Sequence, residues 1–375
     1  MTPRPLLSVV VVSRNDDHGG NLLQRMQLFV TGWLEQAERH DLNSELVIVE
    51  WNPLPDRPRL TQALKWPKGN GPCTVRIIEV PPEIHQSFKY SDKLPVFQMI
   101  GKNVGIRRAR GRYILATNID ILFSDELIQY FASGQLSSHH MYRIDRYDVP
   151  SDVPSEASIS EQLNYCRENV IRINRRGKTS IIRTTNRSHG ESASVFQTFK
   201  KRIQVLKNIH DIAKLGKDIF LYFYAPIHRL TIRPVLYGKV LHTNACGDFT
   251  LMARDHWLAL RGNAEFETFS LYLDSLMCAV AHFGGVSEQI LPEPMRIYHI
   301  EHAPGSGWAP GEGAKLLDER LKTAGIPQIT SREYMKYLKR IRWHSDPTIF
   351  NSENWGLGKK SLKEYAIIKG DWDKT

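Results

Sequence analysis

The stretch GRYILATNIDILFSD, residues 111–125, is an apolar run that is broken at its centre by Asn118 and Asp120. The aliphatic and β-branched residues around the break predict a buried strand over 112–120. Alternation along such a strand places Asn118 and Asp120 on one side and turns Ile119 back into the core. The stretch therefore predicts a strand that presents an amide and a carboxylate together where it ends.

The segments before this strand predict an open α/β sheet, because short β-branched runs alternate with stretches of helical periodicity. The predicted strands cover 6–13, 45–52 and 74–80, and the predicted helices cover 22–40, capped by Asn21, and 96–109. Polar clusters end the strands at 13–17, 50–52 and 118–120. In an open α/β sheet the ligand crevice lies beyond the carboxyl ends of the strands, so these clusters are candidate ligand contacts.

Composition favours a globular protein of a reducing compartment. The chain has 375 residues, 41% of them hydrophobic, which is enough for a substantial core. Its cysteines stand far apart without a CxxC or Cys/His pattern, so neither a zinc site nor a disulfide framework is indicated. The apolar run at 6–13 is too short for a signal peptide or for the about 20 residues of a membrane span. We therefore expect a cytoplasmic protein, either free or at the inner face of the membrane.

From residue 137 to residue 240 the pattern changes to a polar and then a basic stretch, which we interpret as an insertion with a helix over 195–224. The formal net charge is +10, and 167–218 holds 13 Lys/Arg against 4 Asp/Glu. An apolar stripe, flanking cations and an aromatic end predict peripheral contact of 195–227 with an anionic membrane. Packing of the same stripe against the main domain or a second subunit is an equal alternative, and the sequence leaves the oligomeric state open.

The chain after the insertion returns to compact α/β sequence. We expect a hairpin around Gly238, a helix that Gly284 and Gly285 terminate, and a strand over 290–302 that carries two histidines. Two amphipathic helices, over 314–324 and 332–343, then form a helical C-terminal tail.

Several segments resemble, in the expected order, the GT-A glycosyltransferases and especially the large inverting family two. KNVGIRRARGRYILATNID (102–120) resembles the helix and strand that end in the family's DxD element, and LVIVEWN (46–52) resembles the strand whose end contacts the nucleotide. WLALRGNAEFETFSLYLDS (257–275) looks like the region of the catalytic base, and IYHIEH (297–302) stands where these enzymes have a histidine near the metal. The matches cover about two thirds of the chain.

The resemblance implies a Rossmann-like GT-A fold, in which helices flank a mixed sheet, and transfer of a sugar from a nucleotide diphosphate sugar to a glycan or glycolipid hydroxyl. It also implies an order of domains: a nucleotide-sugar-binding half at 1–136, the basic insertion at 137–240, an acceptor and catalytic half at 241–310, and a helical tail at 311–375. The donor's leaving diphosphate develops negative charge, which Mn²⁺ or Mg²⁺ held by oxygen ligands would neutralise.

On this interpretation Asp120 is the metal ligand. Asn118 replaces the first carboxylate of the family's pattern, which weakens metal affinity or assigns this amide to the ribose. His299 is the better candidate for a metal or diphosphate contact and His302 is its rival, because neutral imidazole is a good ligand for Mn²⁺. An Asn-x-Asp sequence at a strand end is also an ordinary turn or a helix cap, here before Ser124.

Other residues are expected to contact the donor. Glu50 is placed to accept a hydrogen bond from the nucleobase or the ribose. The remaining candidates line the opposite wall of the cleft or precede the strand at 112–120, and they are Ser13, Asn15, Asp16, Lys102 and Asn103. Each of them is equally an ordinary strand-end or surface residue.

An inverting transfer needs a general base within reach of the acceptor hydroxyl. Asp274, at the start of an apolar helix, matches the second position of the family's Glu-Asp pair, and Asp248 is the next candidate. Asn244 and Gly247 are expected to help bind the acceptor. Trp355, in NSENWGLG (351–358), either folds over the cleft or packs elsewhere.

Three alternatives stay open at this stage. A retaining GT-A transferase differs only in the geometry of the site, and a nucleotidyltransferase would be expected to show two metal-binding carboxylates. A protein that binds nucleic acid through the basic insertion would show salt-sensitive binding, but it lacks interleaved aromatic and basic residues.

Overall fold

The chain folds around two β-sheets. The computed structural model describes residues 4–66, 71–182, 241–302, 314–343 and 347–367. The strands of these residues are β1 (Leu7–Ser13), β2 (Ser44–Trp51), β3 (Cys73–Val80), β4 (Tyr113–Thr117), β5 (Ile121–Phe123), β6 (His140–Arg143), β7 (Arg146–Val149), β8 (Arg172–Arg175), β9 (Lys178–Ile181), β10 (Phe249–Ala253), β11 (Ser287–Ile290), β12 (Ile297–Ile300) and β13 (Glu364–Ile367).

Helices cover both faces of the larger sheet. They are α1 (Leu22–Arg39), α2 (Leu60–Ala63), α3 (Pro82–Gln86), α4 (Gln98–Arg108), α5 (Asp125–Ala132), α6 (Ile159–Glu168), α7 (Arg254–Ala259), α8 (Leu273–Phe283), α9 (Ala314–Thr323) and α10 (Ser331–Trp343). None of them combines the length and the apolarity that crossing a membrane requires.

The larger sheet has eight strands in the order β11-β6-β10-β4-β1-β2-β3-β13. β1 pairs in parallel with β2 and β4, whereas β10 is antiparallel to β4, so the sheet is mixed. The predicted fold class, an α/β fold with helices flanking a mixed sheet, is confirmed, and the arrangement is that of a GT-A-like fold. The carboxyl ends of β1, β2 and β4 meet at one edge, where the sequence places its polar clusters.

The smaller sheet has five strands in the order β5-β12-β7-β8-β9. β12 pairs with β5 through His299 and Ile121, and with β7 through His299 and Asp148. Because β5 follows β4 directly, the chain passes from one sheet to the other within 118–120. This junction carries Asn118 and Asp120.

The first strand is apolar at almost every position because both of its faces are buried. Val9 and Val11 belong to the core beneath α1, whereas Val10 belongs to the core beneath α4. Strands that are covered on both faces read as continuous β-branched runs, which is why the sequence identified β1 and β2 so clearly.

Several predicted boundaries are wrong. The strand expected over 112–120 ends at Thr117, and 118–120 forms the turn into β5, although Ile119 is buried as expected. Asn21 precedes α1 in a left-handed conformation, with φ 52°, and its side chain makes no capping hydrogen bond. The strand expected over 290–302 is reduced to β12, because Pro292 and Pro294 interrupt the segment after β11.

The segment from 137 to 182, which the sequence assigned to the insertion, supplies β6 to the larger sheet and β7, β8 and β9 to the smaller one. The helix expected over 195–224 and the hairpin around Gly238 lie outside the described residues. The two C-terminal helices are present as α9 and α10. The tail then returns to the larger sheet as β13, a strand that the sequence analysis missed.

Helix α4 lies unusually close to the larger sheet because Gly101 and Gly105 face it. A Cβ atom at Gly105 would lie 2.4 Å from Val10 Cγ1, and one at Gly101 would lie 2.8 Å from Val12 Cγ1. Contacts below 3 Å force a neighbour to move, so these glycines fix the distance between α4 and β1.

We predict that Gly105→Ala destabilises the protein by about 1–3 kcal/mol, because the added methyl group overpacks against Val10. In an uncrowded helix the same change would stabilise the protein by up to about 1 kcal/mol. The sign of the change in the free energy of unfolding therefore distinguishes a crowded position from an uncrowded one. Urea denaturation measures it, with Glu35→Ala on the exposed side of α1 as a control that changes stability by about 0.5 kcal/mol or less. A Gly105→Ala protein as stable as the parent would contradict the close packing of α4.

Candidate active site

Asp120 lies buried in the turn between β4 and β5, with 8% of its surface exposed. Its Oδ2 accepts a hydrogen bond from Arg25 Nη1 at 3.0 Å and lies 3.3 Å from His302 Nε2. Its Oδ1 is buried as well, and no donor among the described residues reaches it. A buried carboxylate oxygen without a partner is costly, so Oδ1 is a position where an external ligand is expected.

The two histidines expected near a metal do meet Asp120. Asp120, His299 and His302 each offer a ligand atom, and these atoms lie within 4.8 Å of one another. His299 Nδ1 lies 3.3 Å from Asp148 Oδ1, while His299 Nε2 lies 3.9 Å from Asp120 Oδ2. A carboxylate behind one ring nitrogen of a histidine orients the other nitrogen toward a metal. Asp120, His299 and His302 are therefore the candidate metal centre.

A second possible group, Asp148, His299 and Glu301, is a poorer candidate. Asp148 already forms an ion pair with Arg146, whose Nε lies 2.8 Å from its Oδ1, and it accepts hydrogen bonds from Asn174 Nδ2 at 2.8 Å and from Arg172. Arg172 also pairs with Glu301. Since arginine neutralises both carboxylates, this group is better suited to supporting His299 than to binding a cation.

The charge state of the candidate metal centre follows from these contacts. Burial alone would raise the pKa of Asp120, but the hydrogen bond with His302 and the positive charges of His299 and Arg25 hold that pKa well below its ordinary value. Burial and Arg146 lower the pKa of His299, yet Asp148 and Asp120 raise it overall. Asp120 is thus ionised at neutral pH, and a metal ion would compete with the proton of His299.

Asn118 does not share the partners of Asp120. Its Oδ1 accepts from Gln98 Nε2 at 2.9 Å, and its Nδ2 donates to Asp248 Oδ1 at 2.5 Å. Asp248 Oδ2 in turn pairs with Arg146 Nη1 at 2.5 Å. Asn118 and Asp248 therefore link the end of β4 to the start of β10.

Lys102 and Asp274 converge on Gly247, which leads into β10. Lys102 is only 1% exposed, and its Nζ donates to the Gly247 carbonyl oxygen at 2.6 Å. Asp274 lies in the first turn of α8, with its Oδ2 2.9 Å from where a Cβ on Gly247 would be. Burial lowers the pKa of Lys102, although Asp248 and Asp274 act in the opposite direction.

The ends of β1 and β2 form a separate wall, because Ser13 and Glu50 pair in register. Ser13 Oγ donates to Met26, and Asn15 Nδ2 donates to the Pro58 carbonyl oxygen at 2.8 Å. Asp16 pairs with Arg14 at 2.8 Å and accepts from the His18 backbone N–H at 3.0 Å. This loop approaches the candidate metal centre, since the rings of His18 and His302 lie 6.1 Å apart.

Glu50 is fully buried at the end of β2. Its Oε1 accepts from the Leu60 backbone N–H at 2.9 Å, whereas no described residue bonds its buried Oε2. Glu50 therefore resembles Asp120 in offering one buried carboxylate oxygen to a ligand.

Asn103, Asn244 and Trp355 contact other parts of the protein. Asn103 is fully buried, and its amide donates to the Asn263 carbonyl oxygen at 2.8 Å and to Glu265 at 3.0 Å. Asn244 donates to the Arg175 carbonyl oxygen at 2.6 Å in the turn between β8 and β9. Trp355 is buried beneath Arg107, whose guanidinium lies 5.2 Å from its ring. We do not include these side chains in the candidate site.

Sequence reasoning missed two cations of the site, Arg25 and Arg146, and one carboxylate, Asp148. Arg25 is buried and bonds Asp120, and Arg146 bridges Asp148 and Asp248. The sequence does contain a feature that could have identified Arg25: it occupies the apolar face of α1 between Leu22 and Phe29, where a charged residue is unexpected. Arg146 and Asp148 had no such feature, since β7 is a short strand in a stretch that reads as irregular.

The fold and the site together define an α/β protein with a candidate divalent-metal centre at the carboxyl edge of its sheet. No protein-family model matches the chain, and no curated protein does. Among solved structures, it is similar to S. aureus TarS 1–349 in complex with UDP-GlcNAc, with 12% identity, a TM-score of 0.39, and coverage of 90% of this chain and 72% of that one.

The chain is also similar to S. aureus TarS 1–349 in complex with UDP, with 12% identity, a TM-score of 0.39, and coverage of 88% of this chain and 69% of that one. TM-scores this low carry no functional argument, so the function proposed below depends on the geometry of the site.

The pKa of Glu50 leads to a prediction about stability. Burial raises that pKa to about 7, against the Leu60 hydrogen bond and the charge of Arg59. A carboxyl group with a raised folded-state pKa binds more protons when folded than when unfolded, so the free energy of unfolding falls as the pH rises from 4.5 to about 7. We expect Glu50→Gln to remove this loss of about 3 kcal/mol.

Urea denaturation at a series of pH values, without nucleotide, measures the effect. The exposed α1 residue Glu35 supplies a matched control. We expect Glu35→Gln to show the same slope of the free energy of unfolding against pH as the parent protein. Should Glu50→Gln keep the slope of the parent protein, the protonation assigned to Glu50 is wrong.

Proposed function

We propose that the protein is a metal-dependent glycosyltransferase that moves a sugar from a nucleotide diphosphate sugar to a hydroxyl of a glycan or glycolipid acceptor. The single observation that carries this proposal is the arrangement at Asp120. A buried, ionised carboxylate with an unbonded oxygen lies beside His299 and His302, at the carboxyl edge of a parallel strand pair. That edge is where α/β sheets bind their ligands.

The donor set favours Mn²⁺ over Mg²⁺. Mg²⁺ prefers oxygen ligands alone, whereas Asp120, His299 and His302 would offer one carboxylate and two imidazole rings. The metal would supply positive charge to the diphosphate as the bond to the sugar breaks. Asp148 holds His299 in the orientation that this role needs, and Arg25 holds the carboxylate of Asp120.

The wall at the ends of β1 and β2 suits the nucleoside part of the donor. The unbonded Oε2 of Glu50 is available to a donor group of the nucleobase or the ribose. Asn15 and Asp16 would line the cleft between Glu50 and the candidate metal centre. Lys102, buried with its Nζ on the Gly247 carbonyl oxygen, is the remaining candidate for a contact with donor phosphate or sugar.

Asp274 is the stronger candidate for the general base. Asp248 is already paired with Arg146 and bonded to Asn118, so removal of a proton by Asp248 would break a buried ion pair. Asp274 is partly exposed, and its Oδ1 accepts only short-range hydrogen bonds from Ser275. It would take the proton of the acceptor hydroxyl, and attack on the face opposite the leaving diphosphate would give inversion.

The first test is metal-dependent nucleotide binding. In a thermal-shift panel of nucleoside diphosphates, we expect one nucleotide to stabilise the protein selectively and only with Mn²⁺. Asp120→Asn keeps the shape of the side chain but removes its charge, so it should abolish the metal-dependent part of the shift.

The matched control is Asp255→Asn, which removes an exposed carboxylate from the first turn of α7. This variant should keep the full metal-dependent shift. Equal shifts with and without Mn²⁺ in the parent protein would remove the basis of the proposed chemistry.

The second test separates binding from transfer. Asp274→Asn should leave the Mn²⁺-dependent nucleotide shift intact, because Asp274 does not belong to the candidate metal centre. It should lower the rate of sugar transfer by about 10²- to 10⁴-fold, which is the usual contribution of general base catalysis. Release of nucleoside diphosphate in the presence of an acceptor measures that rate, and an Asp274→Asn protein of parental rate would exclude this base.

A further inference from the structure

Helix α10 presents a basic face to solvent. The sequence of this helix, SREYMKYLKRIRW, contains five Lys/Arg residues and one acidic residue. Arg332, Lys336, Lys339 and Trp343 follow one another at intervals of four, three and four residues, so they share one side of the helix. All four are exposed, as is Arg340 beside them.

The opposite face of α10 fastens the helix to the protein. Tyr334 stacks on Tyr272 with ring centroids 4.6 Å apart, and Tyr337 contacts Phe266 and Phe350 at 5.5 Å and 5.4 Å. Ile341 is buried in the same core. Because the apolar side is already packed, the basic side is a fixed surface and not a helix that awaits a protein groove.

Trp343 distinguishes this face from an ordinary solvated one. It is 75% exposed, the highest value among the large hydrophobic side chains of the described residues. Neither Lys339 nor Arg340 forms an ion pair with any described residue. A row of cations that ends in an exposed tryptophan is suited to a lipid surface, where the cations meet anionic headgroups and the indole ring lies at headgroup depth.

We propose that the exposed face of α10 is a docking surface for anionic phospholipid membranes. Lys336, Lys339 and Arg340 contact the headgroups, and Trp343 inserts at the interface. The binding is peripheral and electrostatic, so it weakens as the salt concentration rises.

The position of α10 gives this contact a consequence, which rests on the function proposed above. Tyr272 immediately precedes α8, and Asp274 lies in the first turn of that helix. The stacked Tyr334 therefore places one end of α10 next to the candidate base. A membrane on the basic face would thus dock on the helix that packs against the segment carrying Asp274, which suits an acceptor carried by a lipid.

Co-sedimentation of the full chain with vesicles tests the docking surface. We expect binding to vesicles of phosphatidylcholine mixed with phosphatidylglycerol, and none to phosphatidylcholine alone. The double variant Lys339→Gln/Arg340→Gln should lower the partition coefficient by roughly tenfold to thirtyfold. Quenching of tryptophan fluorescence by brominated lipid should be lost in Trp343→Phe.

Two charge-matched variants locate the contact. Lys359→Gln/Lys360→Gln removes the same charge from another exposed part of the chain and should bind vesicles like the parent protein. Lys200→Gln/Lys201→Gln removes it from the basic segment at 195–227 and should cause less loss than the α10 variant. Equal losses in all three variants, or a loss confined to the 195–227 variant, would overturn the assignment to α10.

Thermal melting and the Mn²⁺-dependent nucleotide shift confirm that each variant is folded. A chain that binds vesicles through α10 but shows no nucleotide shift would leave the docking surface standing and remove the proposed transferase. If Lys339→Gln/Arg340→Gln kept the parental partition coefficient, or changed only the self-association of the protein, the proposed docking surface would be wrong. The proposed transferase function would be unaffected.

Discussion

One buried negative charge organises this structure. Asp120 lies where the chain passes from the larger to the smaller sheet, and an isolated carboxylate there would cost several kcal/mol. Its compensation comes from distant parts of the chain: Arg25 in α1, and His299 and His302 at the end of β12. The packing of α1 and the register of β12 therefore both depend on this carboxylate, and the same contacts leave its second oxygen open to a ligand.

The neighbouring charges extend this arrangement across the site. Arg146 pairs with both Asp148 and Asp248, so it connects the carboxylate behind His299 to the one beside Asn118. Buried polar groups that satisfy one another in this way are rigid, and loss of one member leaves its partners unpaired. A preorganised site of this kind needs no rearrangement of its charged groups before a ligand binds. Asp248 is thereby more useful as a fixed support than as a proton acceptor.

The strands and site residues that could be predicted are those whose sequence signal lies within a short segment of the chain. The strands β1 and β2 were found because both of their faces are buried, which produces unbroken apolar runs. Asp120 was identified as a candidate because polar residues at strand ends stand out, whereas His299 and His302 were identified through the resemblance of IYHIEH to a family segment that carries a histidine near the metal. The break after Thr117 was missed because Ile119 remains apolar through the turn. β13 was missed because its partner, β3, lies almost 300 residues away in the sequence, and no local pattern records that pairing.

The pairing of β10 with β4 connects Asp120 to the part of the site around Gly247. β10 pairs with β4, and this pairing brings Gly247 and Asp248 to the junction that holds Asp120. Gly101 lets α4 approach β1, and the next residue, Lys102, reaches the Gly247 carbonyl oxygen as a result. Gly247, having no side chain, leaves room for Asp274. The close approach at Gly101 and the absence of a side chain at Gly247 thus bring Lys102 and Asp274 together at the turn that leads into β10.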